Sequence, residues 1–130
     1  MQKTLTPTME DYLEVISNLK KKRQVVKVKN IAQELKIKMP SVSEALKFLA
    51  KEGLIRHERY GDIELTDKGN ELAEGVKSRH RVLFKFLNEV LGINPETADE
   101  DACKMEHSIS VITLKRLIEF LESTKLSSRE

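Results

Sequence analysis

The sequence predicts a mainly α protein in which an N-terminal winged helix-turn-helix precedes a C-terminal helical dimerisation domain. Three observations carry this expectation. Apolar residues recur at helical spacing through most of the 130 residues. Two short strand-like runs flank a Tyr60-Gly61-Asp62 tip after the third helix. Positive charge gathers in one stretch: Lys20 to Arg59 holds twelve Lys/Arg against four acids, whereas Val76 to Glu130 holds nine of each. The net charge of +2 hides that asymmetry.

The helices follow in order. Thr6-Pro7 opens the first, with Thr6 as N-cap and Pro7 at the first helical position. Met9, Tyr12, Leu13, Ile16 and Leu19 form its apolar stripe, and Lys20-Lys21-Lys22-Arg23 ends it in favourable contact with the negative helix end. After a short extended piece at Val26 to Val28, a second helix runs from about Val28 to Leu35. The turn Lys36-Ile37-Lys38-Met39 leads to a third, from Pro40 to about Glu52, which Gly53 closes. Strands follow at about Leu54 to Arg59 and Ile63 to Leu65. Thr66-Asp67 caps a long fourth helix expected to reach Leu91 before Gly92. Asn94-Pro95 opens a fifth, and Ser110 caps the last. The division is expected at 1–70 for the winged domain and 71–130 for the helical one.

The composition excludes several classes. With 39% hydrophobic and 34% charged residues, 5 Gly and 3 Pro, the chain reads as a folded, soluble, helical protein rather than a disordered one. No apolar run is long enough to span a membrane, and the N-terminus lacks a signal-peptide pattern. A single cysteine excludes an intrachain disulfide framework and fits a reducing cytoplasm. Neither a His-Glu-x-x-His motif nor a Gly-rich phosphate loop is present, so an enzyme is not expected.

The basic stretch and the helix order point to double-stranded DNA, the plainer alternatives being a solvated basic face and a winged helix that serves as a protein-interaction module. A recognition helix lies in the major groove and reads bases from its first turns. The residues placed there are Lys38, Met39, Pro40, Ser41, Ser43, Glu44 and Lys47. Met39 and Pro40 suit thymine methyl groups, the serines suit base edges or phosphates, and the lysines suit phosphates. Glu44, which only accepts hydrogen bonds, is expected to hold a neighbouring lysine. The alternative for Ser41 and Ser43 is plain N-capping. The wing offers Arg56, His57, Arg59 and Tyr60 for backbone contacts. Beyond Val76, Phe84, Phe86, Leu87, Val90, Leu91, Ile109, Leu114, Leu117, Phe120 and Leu121 are too many apolar side chains for so small a unit to hide. A homodimer is therefore expected, the alternative being that these residues pack onto the winged domain.

Near the C-terminus, Cys103, Glu106 and His107 stand at i, i+3 and i+4, one face of a helix. A thiolate, a carboxylate and an imidazole there suit a divalent transition metal. Asp11 and Glu14, three apart on the first helix, and His80, on the fourth, are further metal-binding candidates. The plainer alternatives are a core cysteine, solvated carboxylates and a surface histidine. A different class of reading is a thiol-based redox regulator with Cys103 as sensor, which needs an exposed thiol of low pKa.

The chain resembles the diphtheria-toxin-repressor family of iron- and manganese-dependent repressors. The resemblance spans about Thr6 to Leu121. It rests on Met9-Glu10-Asp11-Tyr12-Leu13, Pro40-Ser41-Val42-Ser43, Leu65-Thr66-Asp67-Lys68-Gly69, Arg79-His80 and Ala102-Cys103-Lys104-Met105-Glu106-His107. The chain stops before the SH3-like third domain of the iron branch and in length resembles the shorter manganese branch. Asp11 and Glu14 match the manganese branch, Cys103 matches the iron branch, and His80, Glu106 and His107 match both. A glutamate ligand of the iron branch is Phe84 here, and a histidine just upstream of the cysteine is Asp99. The resemblance implies a first metal held by Asp11, Cys103, Glu106 and His107, and a second held by Glu14, His80, a shared Glu106 and Asp99. It implies Fe(II) or Mn(II) as the sensed metal. Zn(II), Co(II) and Ni(II) are expected to bind in vitro by the Irving–Williams order. It further implies palindromic operators before metal-uptake genes.

Overall fold

A computed structural model describes residues 5–22, 25–58 and 61–128, with side chains to 123. The chain divides into two compact units, Met1–Gly75 and Val76–Glu130. The division falls inside the fourth helix.

In the first unit, α1 (Pro7–Lys22), α2 (Val28–Leu35) and α3 (Met39–Lys51) precede the hairpin β1 (Ile55–His57) and β2 (Ile63–Leu65). The local signals explain these bounds. Thr6 Oγ1 accepts from Met9 N at 3.2 Å and so starts α1. Each helix buries one stripe: Tyr12, Leu13, Ile16 and Leu19 from α1, Ile31 and Ala32 from α2, and Val42, Ala45, Leu46 and Leu49 from α3. Together with Val26, Leu54, Ile55 and Ile63 they form one core. α3 begins one residue earlier than expected, at Met39, with Lys38 as N-cap. The turn before it holds Lys36 at φ 59°, the left-handed conformation that ends α2.

The hairpin is antiparallel, with Ile55 opposite Leu65, Arg56 opposite Glu64 and His57 opposite Ile63. Val26 joins its edge, its carbonyl accepting from Ile63 N at 2.9 Å. Asp62 fastens this base: its Oδ1 accepts from Val26 N and from Lys20 Nζ, each at 3.3 Å.

α4 (Asp67–Lys85) starts on the Thr66 cap. Thr66 Oγ1 accepts from Gly69 N at 3.1 Å and donates to the Gly53 carbonyl at 2.7 Å. Gly69 is buried against backbone: a Cβ there would lie 1.9 Å from the Leu54 carbonyl oxygen.

α4 does not continue to Leu91 as a regular helix. It ends at Lys85 and widens into a π-turn, Phe86–Val90, closed by Leu91 N donating to the Phe86 carbonyl at 3.1 Å. Gly92 follows at φ +72°. In this second unit α5 (Pro95–Met105) is capped by Asn94, whose Oδ1 accepts from Thr97 N at 2.9 Å. α6 (Val111–Ser128) is capped by Ser110. Leu83, Leu87, Ala98 and Ala102 form its core, packed by Phe84, Phe86, Ile93, Ile109 and Leu117. The Phe86 and Phe120 rings meet edge to face, with centroids 6.3 Å apart.

Candidate metal centre and nucleic-acid interface

In the second unit the candidate ligands converge on Glu106. α5 ends at Met105, so Glu106 is its C-cap and His107 lies in the turn beyond. Glu106 keeps helical angles and its N–H still donates to the Ala102 carbonyl at 2.9 Å, so the helical face that carries Cys103 extends to Glu106, while His107 lies in the turn beyond. What the structure brings together is His80, Cys103 and Glu106, with one donor atom from each within 4.8 Å of the others. His107 Nε2 faces the other carboxylate oxygen, Glu106 Oε2, at 3.4 Å. Cys103, expected in one metal set, and His80, expected in the other, thus share a neighbourhood.

His80, in the C-terminal part of α4, is held at both ring nitrogens. Nδ1 lies 2.8 Å from Glu106 Oε1, and Nε2 lies 2.8 Å from Asp99 Oδ1. Burial alone would lower its pKa, but the hydrogen bonds and charges of Asp99 and Glu106 outweigh it and hold the imidazole above its ordinary value. The Glu106 side chain is completely buried, whereas Asp99 is 65% exposed. Beside them opens a cavity of about 520 Å³, lined by His80, Asp99, Phe84, Ile118 and Leu121 among others.

The donor set fits a divalent transition ion. Such ions take His nitrogen, carboxylate oxygen and thiolate sulfur at about 2.0–2.3 Å, so two donors on one ion stand at most about 4.6 Å apart. The His80–Cys103–Glu106 group needs little movement to satisfy that. Whichever nitrogen of His80 ligates, the other keeps a carboxylate partner, the usual way a ligating imidazole is oriented. Buried carboxylate around a protonatable ring is also where a cation's charge is best placed.

Asp11 and Glu14 lie in the first unit, three residues apart on α1, both half-buried. Sequence reasoning did not single out a role for Arg79, whose Nε donates to the Glu106 carbonyl at 2.7 Å. Its one signal was its place beside His80 in a motif.

The nucleic-acid candidates stand mostly at the surface of the first unit. Lys38, Met39, Pro40, Ser41, Glu44 and Lys47 are exposed on or beside the first turns of α3, and Ser43 is half-buried. The N-cap of α3 is Lys38, and no side chain bonds the cap position, so Ser41 and Ser43 are not the caps. Glu44 does hold a neighbouring lysine, Lys47, at 3.9 Å. On the wing, Arg56 is exposed and 3.6 Å from Glu64, and His57 is exposed. Arg59 and Tyr60 lie outside the described residues.

Comparison with known proteins agrees across both units. Residues 4–63 match the model of the iron dependent repressor N-terminal DNA binding domain. Residues 66–129 match the iron dependent repressor metal binding and dimerisation domain. An HTH-type transcriptional regulator of Methanocaldococcus jannaschii is 37% identical over 122 residues, 93% of this chain and 98% of the relative. The HTH-type transcriptional regulator MntR of Oceanobacillus iheyensis is 35% identical over 112 residues, 86% of this chain and 76% of the relative. A manganese-dependent transcriptional repressor solved with manganese superposes with a TM-score of 0.81 at 30% identity, over 88% of this chain and 52% of that one. The chain spans about half the length of that structure and of two other solved regulators it matches.

Proposed function

Because the chain belongs to the iron dependent repressor family, we propose that it is a transcriptional repressor whose DNA binding is switched on by Fe(II) or Mn(II). The observation that carries this is the His80–Cys103–Glu106 donor group in a chain whose other unit is a winged helix-turn-helix.

Glu106 is the central ligand. Its buried carboxylate faces His80 on one side and His107 on the other, and it has no solvent with which to share its charge. Cys103 adds a thiolate, and Asp99 orients His80 or joins it as a ligand. The family resemblance adds Asp11 and Glu14 from α1. When bound, the metal supplies the positive charge that lets these anionic groups converge. Fixing Asp11 and Glu14 fixes the helix that leads into the DNA reader, which selects one arrangement from an ensemble. In a homodimer on a palindromic operator, two α3 helices then sit at successive major grooves, about 34 Å apart.

Two features bear on the metal. Relatives are named for manganese, while a thiolate in place of a carboxylate favours Fe(II). Zn(II), Co(II) and Ni(II) are expected to bind in vitro. A cysteine redox sensor is disfavoured: the side chains gathered around Cys103 are a metal donor set, and the matched family is described by metal binding.

The test is operator affinity titrated anaerobically with Fe(II) and with Mn(II), against chelator and against peroxide. Tight binding only with metal is expected. Equal affinity in chelator would overturn the proposal, and release by peroxide alone would favour the redox reading.

A further inference from the structure

Two neighbouring residues of α4 hold Glu106. His80 meets its carboxylate, as described, and Arg79 Nε donates to its main-chain carbonyl at 2.7 Å. The second contact matters because of where Glu106 stands. The last carbonyls of a helix lack partners further along it. From Glu96 to the end of the sequence there is no Gly and no Pro. Neither a glycine nor a proline therefore ends α5 at Met105; the local signals are the Ser110 cap of α6 and the bonds from Ser108 N and Ile109 N to the Met105 carbonyl, which leave the Glu106 carbonyl to a partner elsewhere. The Glu106 carbonyl receives instead a guanidinium from 27 residues earlier in the chain. A bond of that length from a cation is among the stronger polar contacts.

We propose that Arg79 is a positioning residue for the metal centre: its Nε clamps the Glu106 peptide oxygen and so holds the turn from which the Glu106 carboxylate meets His80 and Cys103. The inference rests on the metal-binding reading above. The geometry explains why arginine stands here. Nε–H is a directed donor in a rigid planar group, and the charge persists at every accessible pH. A lysine keeps the charge as a mobile point without that direction. With Arg79 and His80 adjacent on one rigid helix, the peptide oxygen and the carboxylate of Glu106 are located from a common base. A ligand whose backbone is free to shift must be ordered when the ion arrives; one that is already clamped need not be.

The experiment uses the full chain with Co(II) as probe. Absorbance titration gives the affinity, and the thiolate-to-cobalt charge-transfer band reports the Cys103 bond. Arg79→Lys and Arg79→Met are compared with the unmutated chain, alongside helix content and melting of each protein without metal. Loss of a group that orients a ligand typically lowers metal affinity 10–100-fold. Both variants are expected to bind Co(II) in that range more weakly and with a changed charge-transfer band, while helix content and melting stay as in the unmutated chain. Unchanged affinity and spectrum in both would overturn the proposal. So would Arg79→Lys behaving like the unmutated chain while Arg79→Met fails, since charge alone would then suffice. Weakened binding only alongside lost helix or lowered melting would also overturn it, leaving Arg79 a fold residue. If the unmutated chain itself binds no Co(II), the metal-binding reading falls and takes this inference with it.

Discussion

Cys103 is the donor whose chemistry is most cleanly subtracted. It sits exposed in the last turn of α5, so Cys103→Ala removes the proposed ligand without opening a cavity. Metal-activated DNA binding should need at least about tenfold more Fe(II), with melting unchanged. An anaerobic anisotropy titration measures this, and an unshifted Fe(II) response would make Cys103 a bystander. Asp62 gives a second prediction. Burial would raise its pKa, but the bonds from Val26 N and Lys20 and the lysine's charge outweigh that and hold it below the ordinary carboxylate value. A depressed pKa gives stability that is present above the unfolded-state value and lost as pH falls through the folded one. The urea midpoint of Asp62→Asn should thus lie below that of the unmutated chain at neutral pH, and the gap should close below about pH 4. A gap that persists into acid would mean that Asp62 acts through packing rather than charge.

At the scale of elements, α4 meets the backbone that leads into the hairpin at close contact. Gly69 lets the first turn of α4 lie on the Leu54 carbonyl, and the added methyl of Gly69→Ala would have to displace backbone. Overpacking of this kind costs about 1–3 kcal/mol, to be read as a lowered denaturation midpoint; an unchanged midpoint would show that the helix can slide. The example also marks what could be read in advance. Thr6, Thr66, Asn94 and Ser110 were legible as caps because a cap is a local bond between residues three apart. The stripes of α1, α2 and α3 were legible because burial follows helical period. The end of α5 was not, since a distant arginine rather than a glycine or proline accompanies it. Nor was the π-turn, because the spacing of Leu83, Phe86, Leu87 and Val90 suits a regular helix equally well. The candidate ligand residues were readable as types, but their grouping was not: it depends on where α5 stops and which side of α4 His80 occupies.

For the whole molecule, the apolar surface of the second unit argues for a second copy. Val111 is 81% exposed, Ile112 73%, Leu91 55% and Phe120 47%. That is more uncovered large side chain than a unit of this size usually leaves to water. Sedimentation at micromolar concentration should show a dimer of the 14.9 kDa chain with or without metal. Ile112→Glu should shift it towards monomer and weaken operator binding, because paired half-sites need paired readers. An Ile112→Glu protein that remains dimeric would place the interface elsewhere.

The π-turn between Phe86 and Val90 carries a genealogical consequence. A π-turn is what a helix becomes when one residue is inserted and the flanking turns keep their places. Leu91 N reaches back five residues to Phe86; with one residue fewer, the same pair would close an ordinary α-turn. Glu89, exposed in the middle of that turn, is therefore a position where the chain should tolerate shortening better than in the neighbouring turns of α4. A chain lacking it should keep the His80–Glu106 contact and its helix content, whereas the same deletion made at Arg81 would rotate His80 away from Glu106. Lineages of this fold should accordingly differ by single-residue gaps here, between α4 and Gly92, and not upstream.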